Sequence, residues 1–350
     1  MASMRRAGSA GQEPGRRPET APRGQLYPFV MDLWALSDLC TPWCVHVAAT
    51  LRVADHIAAG KTGIGELATA CGADRESLQR VLRHLVAKGV FEEPELGQFA
   101  LNDTARGLIE MRIGLDLEGF GGRMARAWET LLSAVRTGGP AYQEIFERPF
   151  WEDLEAHPEI AAEFDALMGP EGHSRPDPEV LLDPADWDGI RTVVDVGGGT
   201  GSLLAEVLRA RPMLRGTLVD LPRTVARAAI TFDGIMDRVS LRGQSFFDAL
   251  PAGADLYLLK SILSDWSDAE AAAILRRCAE AARPSGRVVL LNGVTPDEKA
   301  SPALLMLILV GGKERTLAEF RGMAREAGLV VSASGRQLSG RYIVECRPVN

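Results

Sequence analysis

The 350-residue chain is 46% hydrophobic and 25% charged with a formal net charge of −8, the composition of a soluble globular protein long enough for about two domains. Its longest apolar run, ALLMLILVGG from Ala303, is far too short to span a bilayer. The acidic balance argues against a nucleic-acid surface, so neither a membrane nor a nucleic acid is expected as a partner.

Residues 1–24, MASMRRAGSAGQEPGRRPETAPRG, lack both helical periodicity and the apolar core of a secretory signal. They read as a disordered, basic tail on a cytoplasmic protein. Over residues 25–110 two patterns follow. From about Gln25 to Gly60, Leu33, Leu36, Leu39, Val47, Ala48 and Leu51 recur at three and four, which predicts a helix. Few of its outward positions are charged, so a second copy of the chain is expected to cover it. Cys40 and Cys44 fall on one face of that helix, but no second pair or nearby histidine completes a zinc set in sequence. The five cysteines read as reduced and buried, with no metal. Between residues 62 and 102, Asp74 is placed to cap a helix striped by Leu78, Val81, Leu82, Leu85 and Val86 and ended by Gly89. The extended pieces GVFEE and GQFAL complete the layout of a winged helix-turn-helix. Its Arg75, Arg80, Arg83 and Lys88 suit phosphate contacts or a solvated face, and the acidic body favours the latter.

Residues 111–180 carry amphipathic helices, RMARAWETLLSAV and FWEDLEAHPEIAAEFDALM, closed by the Gly- and Pro-rich break from Gly169 to Glu179, which reads as a hinge or lid. Over residues 181–350 the period switches. RTVVDVGGGTG, GTLVDLP, VSLRGQ, ADLYLLK and RVVLLNG are short strand-like runs separated by helical stretches, notably Asp268 to Arg283. This alternation predicts a parallel sheet covered on both faces, and LVVSASGR and RYIVECRP predict a terminal hairpin.

Gly197, Gly199 and Gly201 lie after one strand and before a helix, where glycine lets the backbone turn sharply and approach a ligand. The third position of a GxGxxG fingerprint is Ser202, so a dinucleotide site is only partly spelled out. Two acids refine the reading. Asp195 sits inside the first strand, and Asp220, followed by Leu221, ends the second, where a carboxylate can accept both hydroxyls of a ribose.

Together, VVDVGGGTG, LVDLP, LLKSILSDW and VGGKERTLAEF resemble the class I S-adenosylmethionine-dependent O-methyltransferases of the plant caffeate and bacterial polyketide-tailoring type, over about residues 28 to 347. The resemblance implies an α/β fold: a Rossmann-like doubly wound sheet with a terminal antiparallel hairpin, preceded by an α-helical winged-helix dimerisation domain. It implies S-adenosyl-L-methionine as cofactor, a homodimer, and a small aromatic or polyketide acceptor. Gly197 and Gly199 would lie by the methionine part, Asp220 would hold the ribose, and Asp195, Leu221 and Lys260 would lie near the cofactor. Trp266 would border the adenine, with Ser245 in place of a customary acid and Phe246 following. Trp128, Phe150, Phe164 and Met168, with Met306 and Leu309, would line a broad apolar acceptor pocket.

The family's wording LHDW is here Leu263, Ser264, Asp265, Trp266, and the carboxylate that follows the fifth strand corresponds to Asn292; of that acidic set Glu314 remains. A serine hydroxyl is too weak a base to deprotonate a phenol unaided. Three readings stay open: methyl transfer by proximity to an already acidic hydroxyl or carboxyl, with Ser264, Asn292 and Glu314 as its polar residues; a repurposed reaction such as hydroxylation, decarboxylation or cyclisation; or a non-catalytic ligand-binding dimer. His173 is a candidate replacement base, while His46, His56, His84 and His157 are assigned no chemistry.

Overall fold

In the N-terminal region the helix starts are set by side-chain caps. Asp74 Oδ1 accepts the Ser77 backbone N–H at 2.8 Å and opens the helix Arg75–Ala87. Leu78, Leu82 and Leu85 are buried along it, Val81 and Val86 pack at its margin, and Gly89, at φ +76°, turns the chain away. The wing follows as an antiparallel hairpin of Phe91–Glu95 with Gln98–Leu101. These elements belong to a computed structural model that describes residues 33–168, 177–296 and 300–349.

The single helix expected from about Gln25 to Gly60 is divided. Asp38 Oδ1 accepts the backbone N–H groups of Cys40 and Thr41 at 2.9 and 3.1 Å, and a fresh helix starts there, Cys40–Thr50. Arg52, left-handed at φ +53°, then separates it from Val53–Ala58. Arg83 and Lys88 are ion-paired within the chain, to Glu93 at 3.2 Å and to Asp38 at 3.1 Å. Leu33, Trp34, Leu36, Leu39 and Trp43 remain exposed, Trp34 by 85%, an apolar surface that calls for cover.

Next come Phe120–Ala127, Leu131–Thr137, Phe150–Ala156 and Pro158–Met168. The run FWEDLEAHPEIAAEFDALM is two helices, because His157 before Pro158 is pushed out of the helical region, to φ −127° and ψ 83°. His173 falls outside the described residues.

Seven strands make one sheet: β1 Thr192–Val196, β2 Arg215–Asp220, β3 Val239–Gly243, β4 Leu256–Lys260, β5 Arg287–Leu291, β6 Leu329–Arg336 and β7 Tyr342–Pro348. The spatial order is β6-β7-β5-β4-β1-β2-β3, parallel from β1 to β5 and antiparallel at β7. The expected terminal hairpin is thus present. Helices such as Ser202–Ala210 and Asp268–Ala282 supply the crossovers and cover the faces, so the central strands are buried throughout. Strand order reverses between β1 and β4, and a crevice opens at their carboxyl ends. Among the described residues no helix is long and apolar enough to cross a membrane.

Candidate functional site

The carboxyl ends of β1, β2, β4 and β5 open into a cavity of about 510 Å³, closed on its far side by Phe150–Ala156 and Pro158–Met168. The loop after β1 forms its floor. Gly197 sits at φ +69°, and a Cβ there would come 2.5 Å from Ile262 Cδ1; Gly199, at φ +62°, faces open space. Only glycine meets both demands, and the bare backbone at Gly199 is left for a ligand to approach.

Buried carboxylates flank this floor. Asp195 is 1% exposed and neither of its oxygens has a hydrogen-bond partner. Burial pushes its pKa up to about 7, against the opposing pull of the Lys260 ammonium. A buried acid without a donor is expensive unless a ligand supplies one. Asp220 is better held: its oxygens accept the backbone N–H groups of Gly199 at 2.8 Å and Leu221 at 2.7 Å. Burial still raises it to about 6, and each oxygen keeps a lone pair for a hydroxyl.

An aromatic slot stands beside these acids. The Trp266 ring stacks with Trp151 at 6.3 Å between centroids, with Phe246 and Phe247 edge-on at 5.7 and 5.0 Å. Ser245, whose Oγ accepts the Phe247 N–H at 3.2 Å, lies at the same wall. Arg227, on the helix after β2, donates through Nε to Asp165 at 2.9 Å and ties the sheet to the helical wall.

The polar corner lies after β4. Leu263–Asp265 is a short 3-10 turn whose carbonyls are held by a fully buried arginine: Arg315 donates to Leu263 O at 2.6 Å, to Trp266 O at 2.8 Å and to Asp268 Oδ1 at 2.9 Å. The Ser264 hydroxyl donates to Ser261 O at 3.3 Å and lies 3.4 Å from Asp265 Oδ1. Asp265 lines the cavity, and burial raises its pKa to about 7, with Ser264 pulling the other way. Asn292 donates through Nδ2 to Ser261 Oγ at 3.1 Å. Both residues have left-handed backbones, φ +66° and +56°, so strain is concentrated where β4 and β5 end.

Of the positions marked in the sequence, Asp195, Gly197, Gly199, Asp220, Leu221, Ser245, Phe246, Lys260, Trp266, Asn292, Phe164 and Met168 line this one cavity. Ser264 is one residue removed from the lining. Glu314 is outside it, its Oε2 accepting the Ser301 N–H at 2.8 Å, a contact that fixes the chain ahead of the helix Leu304–Val310. Trp128 is 45% exposed and away from the cavity, and Leu309 and Met306 pack in the helical core. Phe150 is 3% exposed among Tyr142, Phe120 and Phe164; its neighbour Trp151, a helical step of about 100° round, faces the cavity instead. Trp151, Leu154 and Glu155 share that face at the spacing three and four, a signal legible only once the inward face is known. Asp265 and Arg315 stand inside LLKSILSDW and VGGKERTLAEF, yet nothing local in those runs marks the one as a raised acid at the cavity or the other as a buried clamp on carbonyls.

Comparison with known proteins agrees with this architecture. A model of the O-methyltransferase domain matches residues 128–330, and one of the O-methyltransferase dimerisation domain matches residues 34–110. The chain is 44% identical, over 86% of its length and 93% of the relative's, to the 2,7-dihydroxy-5-methyl-1-naphthoate 7-O-methyltransferase of Streptomyces carzinostaticus. It is 38% identical, over 85% and 83%, to aclacinomycin 10-hydroxylase RdmB of Streptomyces purpurascens. The crystal structure of the O-methyltransferase NcsB1 from neocarzinostatin biosynthesis, in complex with S-adenosylmethionine and 2-hydroxy-5-methyl naphthoic acid, matches with a TM-score of 0.82 at 42% identity, over 91% of this chain and 99% of that one.

Proposed function

Since the chain belongs to the O-methyltransferase family, with S-adenosyl-L-methionine as its cofactor, we propose that it methylates an acidic hydroxyl on a fused-ring aromatic natural product such as a hydroxynaphthoic acid, working as a cytoplasmic homodimer. The residues present fit the cofactor. Asp195, a buried carboxylate without a donor, suits an ammonium group beside the bare backbone of Gly199. Asp220 suits a ribose, and the slot of Trp266 and Phe246 suits a flat base with Ser245 as its polar neighbour. Bound there, the cofactor supplies an electrophilic methyl group.

The observation that carries the reading is the acceptor corner. Among the described residues no histidine lines the cavity, and Ser264 stands where the family's wording has one. A phenol with a pKa near 10 has to lose its proton, and Asp265, held at about 7 by burial, is the acid of this turn that can accept it. Ser264 supports the carboxylate form of Asp265 by donating toward it, while Asn292, anchored to Ser261, offers hydrogen bonds to the acceptor. Orientation against a fixed wall supplies much of the remaining barrier lowering. The dimer is supported by the dimerisation-domain match and by the uncovered apolar side chains of Leu33, Trp34, Leu36, Leu39 and Trp43.

A second reading is a non-methylating reaction on the same acceptor class, favoured by the 38% identity to a hydroxylase. One experiment separates the two. The full chain is incubated with methyl-labelled cofactor and a panel of hydroxynaphthoic acids, and products are read by mass spectrometry. Label on an acceptor oxygen is the expected result; an oxygenated or decarboxylated product without label would overturn it.

A further inference from the structure

Cys40 and Cys44 are one helical turn apart, and their sulfurs stand 3.9 Å from each other. Two thiolates on one tetrahedral zinc, at about 2.3 Å each, are about 3.8 Å apart, so this pair is already at the spacing of a shared cation. The fold supplies the third donor that the local sequence lacks. The helix Arg75–Ala87 packs against Cys40–Thr50 and brings a His84 ring nitrogen and both sulfurs to within 4.8 Å of one another.

The imidazole is also held in one tautomer. The Thr41 hydroxyl donates to Asp38 Oδ2 at 2.5 Å, so its oxygen is left to accept from His84 Nε2–H at 2.8 Å, and Nδ1 keeps its lone pair. Asp38 in turn accepts from the Thr41 and Cys40 backbone N–H groups and from the Lys88 ammonium. A histidine whose second nitrogen is committed to a carboxylate-backed partner is the arrangement found around metal-binding imidazoles.

We propose that Cys40, Cys44 and His84 form a site for one soft divalent cation of the zinc class on each chain. Each thiol gives its proton to solvent as its sulfur bonds the cation, the neutral imidazole supplies one ring nitrogen, and water fills the fourth position. The cation clamps the helix Cys40–Thr50 to Arg75–Ala87, directly beside the exposed Leu39 and Trp43, and so orders the surface expected to meet a second copy.

The test uses the untagged full-length chain, reduced and stripped with chelator, then titrated with cadmium. The expected result is a cadmium–thiolate band in the ultraviolet that saturates at one cation per chain, with a thermal midpoint raised by about several degrees. Cys44→Ser abolishes the band, and His84→Ala leaves both sulfurs but weakens binding by about 100-fold. Cys71→Ser, at a partly exposed cysteine outside the cluster, changes neither. No band, saturation at another ratio, a band that survives Cys44→Ser, full affinity in His84→Ala, or dependence on Cys71 overturns the site.

Discussion

Strand ends wall one side of the cavity and helices wall the other, and the two sides hold their groups by different means. On the strand side the backbone does the holding. Asp220 is pinned by the N–H groups of Gly199 and Leu221, and the loop after β1 runs through the left-handed Gly197, Gly199 and Gly201. On the helical side, Trp151, Phe164 and Met168 are placed by how their helices pack; the Ser264–Asp265 turn after β4 is held instead by one side chain, the guanidinium of Arg315. Backbone geometry tolerates few substitutions, whereas packed side chains can be exchanged one at a time. The strand side is therefore suited to a constant ligand and the helical side to one that differs between relatives.

The largest effect is expected where one side chain does the holding, at Arg315. Arg315→Met strips the donors from the carbonyls of Leu263 and Trp266, at about 1–3 kcal/mol for each buried acceptor left unpaired. Urea unfolding is expected to show a loss of about 3 kcal/mol or more together with loss of turnover. Unchanged stability would mean that the turn has another anchor. The next largest effect is expected at Asp265: Asp265→Asn lowers kcat/KM by about 100-fold by removing a proton acceptor. Because burial raises the carboxyl to about 7, its basic form grows as pH rises through that value. In the native chain kcat/KM should rise across this range, and in the Asn variant that limb should vanish; a limb that persists would assign the titration to the acceptor instead. On the strand side, Gly199→Ala forces a Cβ into the left-handed region at a cost of about 1–2 kcal/mol. Calorimetry should show cofactor affinity down by about tenfold, while the acceptor's KM stays where it was.

The same contrast explains how much was legible beforehand. The run from Val193 to Gly201 and the pair Asp220 and Leu221 write their geometry into consecutive residues, so Asp195, Gly197, Gly199 and Asp220 were found, and all line the cavity. A parallel sheet covered on both faces followed from the alternation of strand and helix. Helical walls write nothing so local. Phe150 and Trp151 differ by one step around a helix, and which of them faces the cavity is set by Tyr142 and Phe120, outside that helix. Arg315 reads as one more charge in KER until the fold buries it against carbonyls 49 to 52 residues earlier. His84 beside Cys40 and Cys44 is hidden for the same reason.

The smallest effect is expected at Ser264, which stands beside Asp265 in the turn after β4. Its hydroxyl makes only long contacts, 3.3 Å to Ser261 O and 3.4 Å to Asp265 Oδ1, where hydrogen bonding weakens. Ser264→Ala removes a donor that steadies the Asp265 carboxylate, so the Asp265 pKa moves further up and the pH limb shifts toward alkaline values. At its plateau, turnover should fall by no more than about a few-fold, since one weak neutral hydrogen bond is worth about 1 kcal/mol or less. Ser264→His is the sharper companion. If an already acidic hydroxyl reacts by proximity with Asp265 taking the proton, a new imidazole adds little, or crowds the acceptor, and turnover stays level or drops. A gain of several orders of magnitude in Ser264→His would show that the site lacked a base, and Asp265 would lose the role given to it.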